Sequence, residues 1–217
     1  MRIGLIGMSG VGKTYWARQL ATIGFELISC DDLIAAHLAA DLGHPVSFRE
    51  LNDWLGLPYE PGFEGREASF LSFEVQTMES ILSHLSRNGD VATDLVVDMS
   101  GSAVYAGRQL FDELRRHITI VYLAITPAVQ QQMFERYARR PRAVLWQGQF
   151  RQGEGQTQLE ALKECYPRLI AHREMLYETY ADVILPYATY HEANLTAAAF
   201  AQLLHESLGS RDVRGGP

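Results

Sequence analysis

Apolar positions along this chain follow two rhythms. Short runs that are apolar nearly throughout alternate with longer stretches in which apolar residues return every three or four positions. The first rhythm suits strands covered on both faces, and the second suits helices with one buried stripe. Strands are predicted over 2–6, 25–29, 91–99, 118–125 and 181–185. Helices are predicted over 13–22, 32–42, 67–87, 108–116, 127–139, 158–180 and 195–208. In the third of these helices Phe70, Phe73, Met78, Ile81, Leu82 and Leu85 fall at near-helical spacing, which reads as core packing. The alternation implies an α/β fold, a parallel sheet with helices on both faces. Two segments interrupt it. Residues 43–65 hold Pro45, Pro58 and Pro61, and residues 136–157 hold Pro141, Gly148, Gly153 and Gly155. Both exceed ordinary connectors, so they are candidate binding loops or lids. The 217 residues suit a single domain with these two excursions and a frayed tail over 209–217.

Between the first strand and first helix lies Gly7-Met8-Ser9-Gly10-Val11-Gly12-Lys13-Thr14. It fits the phosphate-binding loop, a Gly followed by four residues and then Gly-Lys-Thr, in the strand–loop–helix context that gives the pattern its meaning. Glycines let several backbone N–H groups turn toward one anion, and the helix adds its positive N-terminal end. Lys13 reaches for the β- and γ-phosphates of a nucleoside triphosphate. The Thr14 hydroxyl is suited to ligate Mg²⁺.

Carboxylates follow at strand ends, where open parallel sheets bind ligands. The second strand runs into Cys30-Asp31-Asp32. Phosphoryl transfer to an alcohol needs a group that positions the hydroxyl and accepts its proton, and Asp31 is the first candidate. Asp32 competes, or serves as N-cap of the next helix. Cys30 reads as a small buried residue at the strand end. The third strand ends Val96-Val97-Asp98-Met99-Ser100-Gly101-Ser102. Asp98 suits a Mg²⁺-holding role, with Asp94 in the same strand as its competitor. Ser100, Gly101 and Ser102 are small enough to let backbone approach a ligand. Arg136, Arg139, Arg140 and Arg142 lie where a closing lid would stabilise charge on a transferring phosphoryl group, and the spacing leaves open which of them enters the site. Arg136, near the helix end, also suits the C-terminal dipole.

Composition narrows the partners. Net charge is −7, with no basic block, which argues against nucleic acid. Two cysteines, Cys30 and Cys165, exclude a disulfide framework or a Cys-rich zinc site. No apolar run approaches membrane-spanning length and no signal peptide precedes the first strand, so cytoplasm is the expected compartment. A monomer or weak homo-oligomer is expected.

These residues resemble the shikimate kinase family of small P-loop kinases over most of the chain. The segment Gly7–Thr14 is similar to its phosphate loop, and Asp31 falls on the second acid of its Asp-x-Asp. Ser100-Gly101-Ser102 stands where the family has three glycines. Arg142-Ala143-Val144-Leu145 looks like its lid sequence Arg-Pro-Leu-Leu, and Arg173-Glu174-Met175-Leu176-Tyr177 looks like Arg-x-Pro-Leu-Tyr. The resemblance implies a three-layer P-loop NTPase fold with five strands in the order 2-3-1-4-5 and a mobile lid. It implies ATP and Mg²⁺ as cofactors, substrate roles for Asp31 and Arg173, and an adenine site bordered by 186–191. Departures gather on the acceptor side. Ser29 replaces the first acid, and Leu71 stands where the family has its substrate-carboxylate Arg, with Arg66 nearby to substitute. Residues 43–65 look longer than usual. The implied activity is transfer of the γ-phosphoryl of MgATP to a hydroxyl of a small, anionic metabolite, shikimate or another. The alternatives are a nucleoside or nucleotide acceptor stacked on Trp54, Tyr59 or Phe63, and a nucleotide-dependent switch with no small-molecule acceptor.

Overall fold

The computed structural model describes residues 1–87 and 93–212. Strands β1 (Arg2–Ile6), β2 (Glu26–Ser29), β3 (Leu95–Asp98), β4 (Thr119–Leu123) and β5 (Val183–Leu185) form one parallel sheet in the order β2-β3-β1-β4-β5. Side chains on these strands alternate between two cores. Ile6, Leu95, Val97, Ile120 and Tyr122 face one. Ile3, Leu5, Val96, Val121 and Leu123 face the other. Both faces must therefore be covered, which is why the strands read as continuous apolar runs.

Helices α1 (Lys13–Ala21) and α9 (Ala197–Asp212) close the second core, with Trp16 of α1 stacked on Phe200 of α9 at 4.1 Å. The other face carries α2 (Cys30–Leu42), α4 (Phe63–Arg87), α5 (Arg108–Leu114) and α7 (Gln158–Tyr180). Helix α6 (Pro127–Arg139) follows β4, and a 3-10 turn over Ala103–Ala106 follows β3.

Several predicted boundaries change. Residues 91 and 92 lie outside the described residues, and the third strand starts at Leu95. Segment 43–65 is not wholly irregular: it contains α3 (Phe48–Leu55), started by a reciprocal capping box between Ser47 and Glu50. Leu51 and Leu55 of α3 are buried in the first core. Helix α9 runs through Gly209 to Asp212, into the stretch expected to fray, and 213–217 lie outside the described residues. Segment 186–191 holds a short helix, α8 (Tyr187–Tyr190).

Candidate active site

The phosphate loop leaves β1 and enters α1 through Gly12, whose φ of 110° no L side chain adopts easily. At Gly7 a Cβ would meet the Leu123 carbonyl oxygen at 2.9 Å, so the loop can leave the sheet only with a glycine there. Lys13 is 7% exposed. Its Nζ donates to the carbonyls of Gly7 at 2.8 Å and Met8 at 3.1 Å. Burial pulls its pKa below the ordinary lysine value, while Asp98 and Asp31 oppose the shift. An ammonium held by carbonyls inside its own loop can exchange them for the oxygens of an anion.

Asp31 lies in the first turn of α2, two residues past the end of β2 at Ser29. The N-cap is Ser29, whose Oγ accepts from the Asp32 amide at 3.3 Å. That corrects the expectation that Asp32 caps the helix, and it gives the residue standing in place of an acid a structural task. Starting the helix earlier brings Asp31 over the loop. A cavity of about 190 Å³ is lined by Ser9, Gly10, Gly12, Lys13, Thr14, Asp31, Ser100 and Gly101, together with Tyr15 and Met99. Burial raises Asp31 to about 6, with Lys13 holding it down. A larger depression of about 550 Å³ lies over Arg151–Gln156 against α7, and neither the loop nor the strand-end acids line it.

Asp98 is the last residue of β3, in register with Leu5 of β1 and Ser29 of β2. Its carboxyl takes a hydrogen bond from the Thr14 side chain and is raised by burial. Its Oδ1 is buried without a partner. Asp94 sits before β3 and pairs with the chain's N-terminal amine, away from the loop. Among the described residues no three His, Cys, Asp or Glu side chains gather as a metal cluster. An orphaned carboxylate oxygen beside a hydroxyl nevertheless fits Mg²⁺, which takes few protein ligands and fills its shell with phosphate and water.

Behind the cavity lies a carboxylate that the chain's pattern did not single out for a role. Glu74 on α4 is fully buried. Its Oε1 accepts from Ser100 Oγ and from Ser102 Oγ, each at 2.5 Å, and its Oε2 has no partner. Desolvation raises it to about 7 against the pull of the two serines. The available signal was an acid inside the apolar stripe Phe70, Phe73, Met78 and Ile81 of α4. Buried Cys30 lies nearby, its thiol pushed well up by desolvation and by Glu74.

Arg173 on α7 is 4% exposed. Its Nη2 donates to the Leu145 carbonyl at 2.7 Å, and longer contacts of 3.4 Å reach the Gly101 carbonyl and the Tyr105 hydroxyl. The guanidinium lies 5.4 Å from the Tyr105 ring centroid. Tyr177 also donates to the Gly101 carbonyl, at 2.5 Å. Arg173 thus ties the loop after β3 to the segment before α7. Glu67 takes the amides of Trp146 and Gln147 in that same segment, where Leu145 and Trp146 are buried.

Other expected residues do not line the cavity. Arg66 donates to the carbonyls of Leu55 and Pro61 and pairs with Glu60 at 3.5 Å, closing the loop between α3 and α4. Arg136 and Arg142 are exposed, as are Arg139 and Arg140, and none of the four forms an ion pair among the described residues. Phe63 is buried, Trp54 packs toward Phe73 and Tyr59 toward Phe150, so these rings serve as packing anchors. Tyr187 and His191 stack at 4.1 Å beside the edge of the sheet.

No family model matches the chain, and no curated protein matches it. Solved structures do. A shikimate kinase from Acinetobacter baumannii, in complex with shikimate, is 22% identical with a TM-score of 0.56, covering 96% of this chain and 93% of its own. A shikimate kinase from Bacteroides thetaiotaomicron is 18% identical with a TM-score of 0.58, covering 96% and 98%. At this identity the likeness is one of fold, and it spans nearly the whole of each chain. With its five parallel strands in the order β2-β3-β1-β4-β5 and its phosphate loop after β1, the chain has the small P-loop kinase fold of the shikimate kinases.

Proposed function

We propose that this chain is an ATP-dependent kinase that moves the γ-phosphoryl group to a hydroxyl of a small metabolite. The observation that carries the proposal is the shared cavity: Asp31 lines the same space as Lys13, Thr14 and the loop glycines. The amides from Ser9 to Thr14 face the phosphates, and Lys13 transfers its hydrogen bonds from Gly7 and Met8 to phosphate oxygens. Thr14 and Asp98 would hold Mg²⁺, which when bound neutralises charge on the β- and γ-oxygens. Asp31, ionised above about pH 6, accepts the proton of the acceptor hydroxyl. That oxygen bonds to the γ-phosphorus as the bond to the β–γ bridging oxygen breaks, and the electron pair leaves with ADP. Ser100 and Gly101 shape the acceptor wall, and Ser102, outside the cavity lining, backs it through Glu74. Arg136 and Arg142 supply positive charge to the transferring group when the exposed arm at 136–142 closes over the loop, with Leu145 and Trp146 staying buried, and that closure also excludes water from the reaction. Tyr187 and His191 offer a stacked aromatic surface for the adenine.

The test is Asp31→Asn. Removing the base while keeping the shape lowers turnover by about 10²–10⁴-fold. ATP affinity, measured by calorimetric titration, stays close to that of the parent. Unchanged turnover in an ADP-release assay would take Asp31 out of the mechanism.

A further inference from the structure

We infer that the acceptor compartment selects a hydroxyl compound that carries no acid group. The inference rests on the kinase reading above and concerns only the second substrate.

Charge accounting around the cavity carries it. Asp31 lines the space, and Glu74 lies directly behind Ser100 and Ser102. Among the described residues Lys13 is the one cation that lines the cavity, and Arg136, Arg139, Arg140 and Arg142 lie outside it. Lys13 sits within the loop, its Nζ between two loop carbonyls, and is committed to phosphate. Arg173 does not line the cavity, and its guanidinium donates to the carbonyls of Leu145 and Gly101 and to the Tyr105 hydroxyl. Arg66 is engaged by Leu55, Pro61 and Glu60.

The hydroxyls of Ser100 and Ser102 are spent as well. A serine hydroxyl has a single proton to give. Ser100 and Ser102 both give theirs to Glu74 Oε1, so neither is left to receive an incoming carboxylate. A carboxylate entering this compartment would be desolvated beside Asp31 with no cation lining the cavity except Lys13, an arrangement in which buried charge is costly. An uncharged hydroxyl avoids that penalty, and a protonated amine gains from Asp31.

The experiment uses the full chain with MgATP and matched acceptors that differ in one group. The pairs are glycerate and glycerol, gluconate and glucitol, and shikimate and its methyl ester, with serinol as the amine-bearing arm. ADP release gives kcat/KM, and thermal stabilisation of the Mg·ADP complex reads binding where transfer is slow. The expected result is a neutral or amine-bearing compound that exceeds its acid counterpart by about tenfold or more, the scale of a like-charge mismatch. An acid equal to or better than its neutral partner overturns the inference, as does a panel in which no neutral or amine-bearing member binds or reacts. Failure of the kinase reading is separate: Lys13→Ala would then leave ATP binding unchanged, whatever the acceptors do.

Discussion

Gly101 shows how single side chains govern this site. A Cβ there would stand 3.3 Å from the Ser9 amide nitrogen and 3.7 Å from Arg173 Nη1. The residue is therefore wedged between the phosphate loop and the α7 arginine, and its neighbours can be serines only because their side chains turn back to Glu74. Gly101→Ala pushes the loop amide by a few tenths of an ångström. Overpacking of this kind costs about 1–3 kcal/mol. The cost should appear as weaker ATP binding in calorimetric titration, with a smaller loss of melting temperature. ATP affinity equal to that of the parent would show that the loop is indifferent to this contact. The lone acid in the α4 stripe was legible at the same scale, because Glu74 occupies a position where the helical period calls for an apolar residue. Its partners were not legible: Ser100 is 26 positions away in sequence.

Among the elements, the segment between α6 and α7 has the most to reveal. Trp146 is 1% exposed, packed edge-on against Tyr137, Phe150 and Tyr166, while its Nε1 has no hydrogen-bond partner. Truncating it empties a large buried volume, so Trp146→Ala should cost about 3–5 kcal/mol in denaturant unfolding. Trp146→Phe keeps the ring packing and deletes an unsatisfied buried donor, which itself costs about 1–3 kcal/mol. Its net loss should be much the smaller of the two. Equal losses for the two variants would mean that the indole N–H has a partner after all. Element boundaries followed the local code unevenly. Helices α6 and α7 keep their predicted limits because Thr126-Pro127 and the Thr157–Glu160 capping box announce them. Helix α3 carries an equally clear box at Ser47 and Glu50, yet Pro45 and Pro58 on either side make the stretch read as a loop.

For the whole molecule, the concentration of buried acids around one cavity predicts how stability depends on pH. Burial raises Asp31 from 3.8 to about 6 and Glu74 from 4.5 to about 7, and raises Asp98 as well. Between the unfolded and folded values the native state holds protons that the unfolded chain has released. Stability from these groups is therefore fully present below the unfolded values and falls as pH rises through the folded ones. The melting temperature should decline from pH 5 to pH 8. Glu74→Gln, which retains an oxygen for the two serines, should flatten that decline, and an unaltered slope would mean Glu74 keeps an ordinary carboxyl pKa. Activity should run the opposite way, rising through about pH 6 as Asp31 ionises.

The chain's own order of residues determined the α/β class, the parallel sheet and the phosphate loop, because each is written in contiguous residues: apolar runs, periodic stripes, and glycines at fixed offsets before Lys13 and Thr14. It also marked Asp31 and Asp98 as acids just where apolar runs stop, of which Asp98 ends its strand and Asp31 lies in the helix that follows. The tertiary structure alone decided what those residues meet. It placed Asp31 in the cavity with Lys13 and left Arg66 and the 136–142 arginines outside it. It spent Arg173 on backbone carbonyls and turned two serines onto a buried glutamate. The physical reason is that a side chain's charge is local but its partners are not: desolvation and pairing depend on which distant segments close around it.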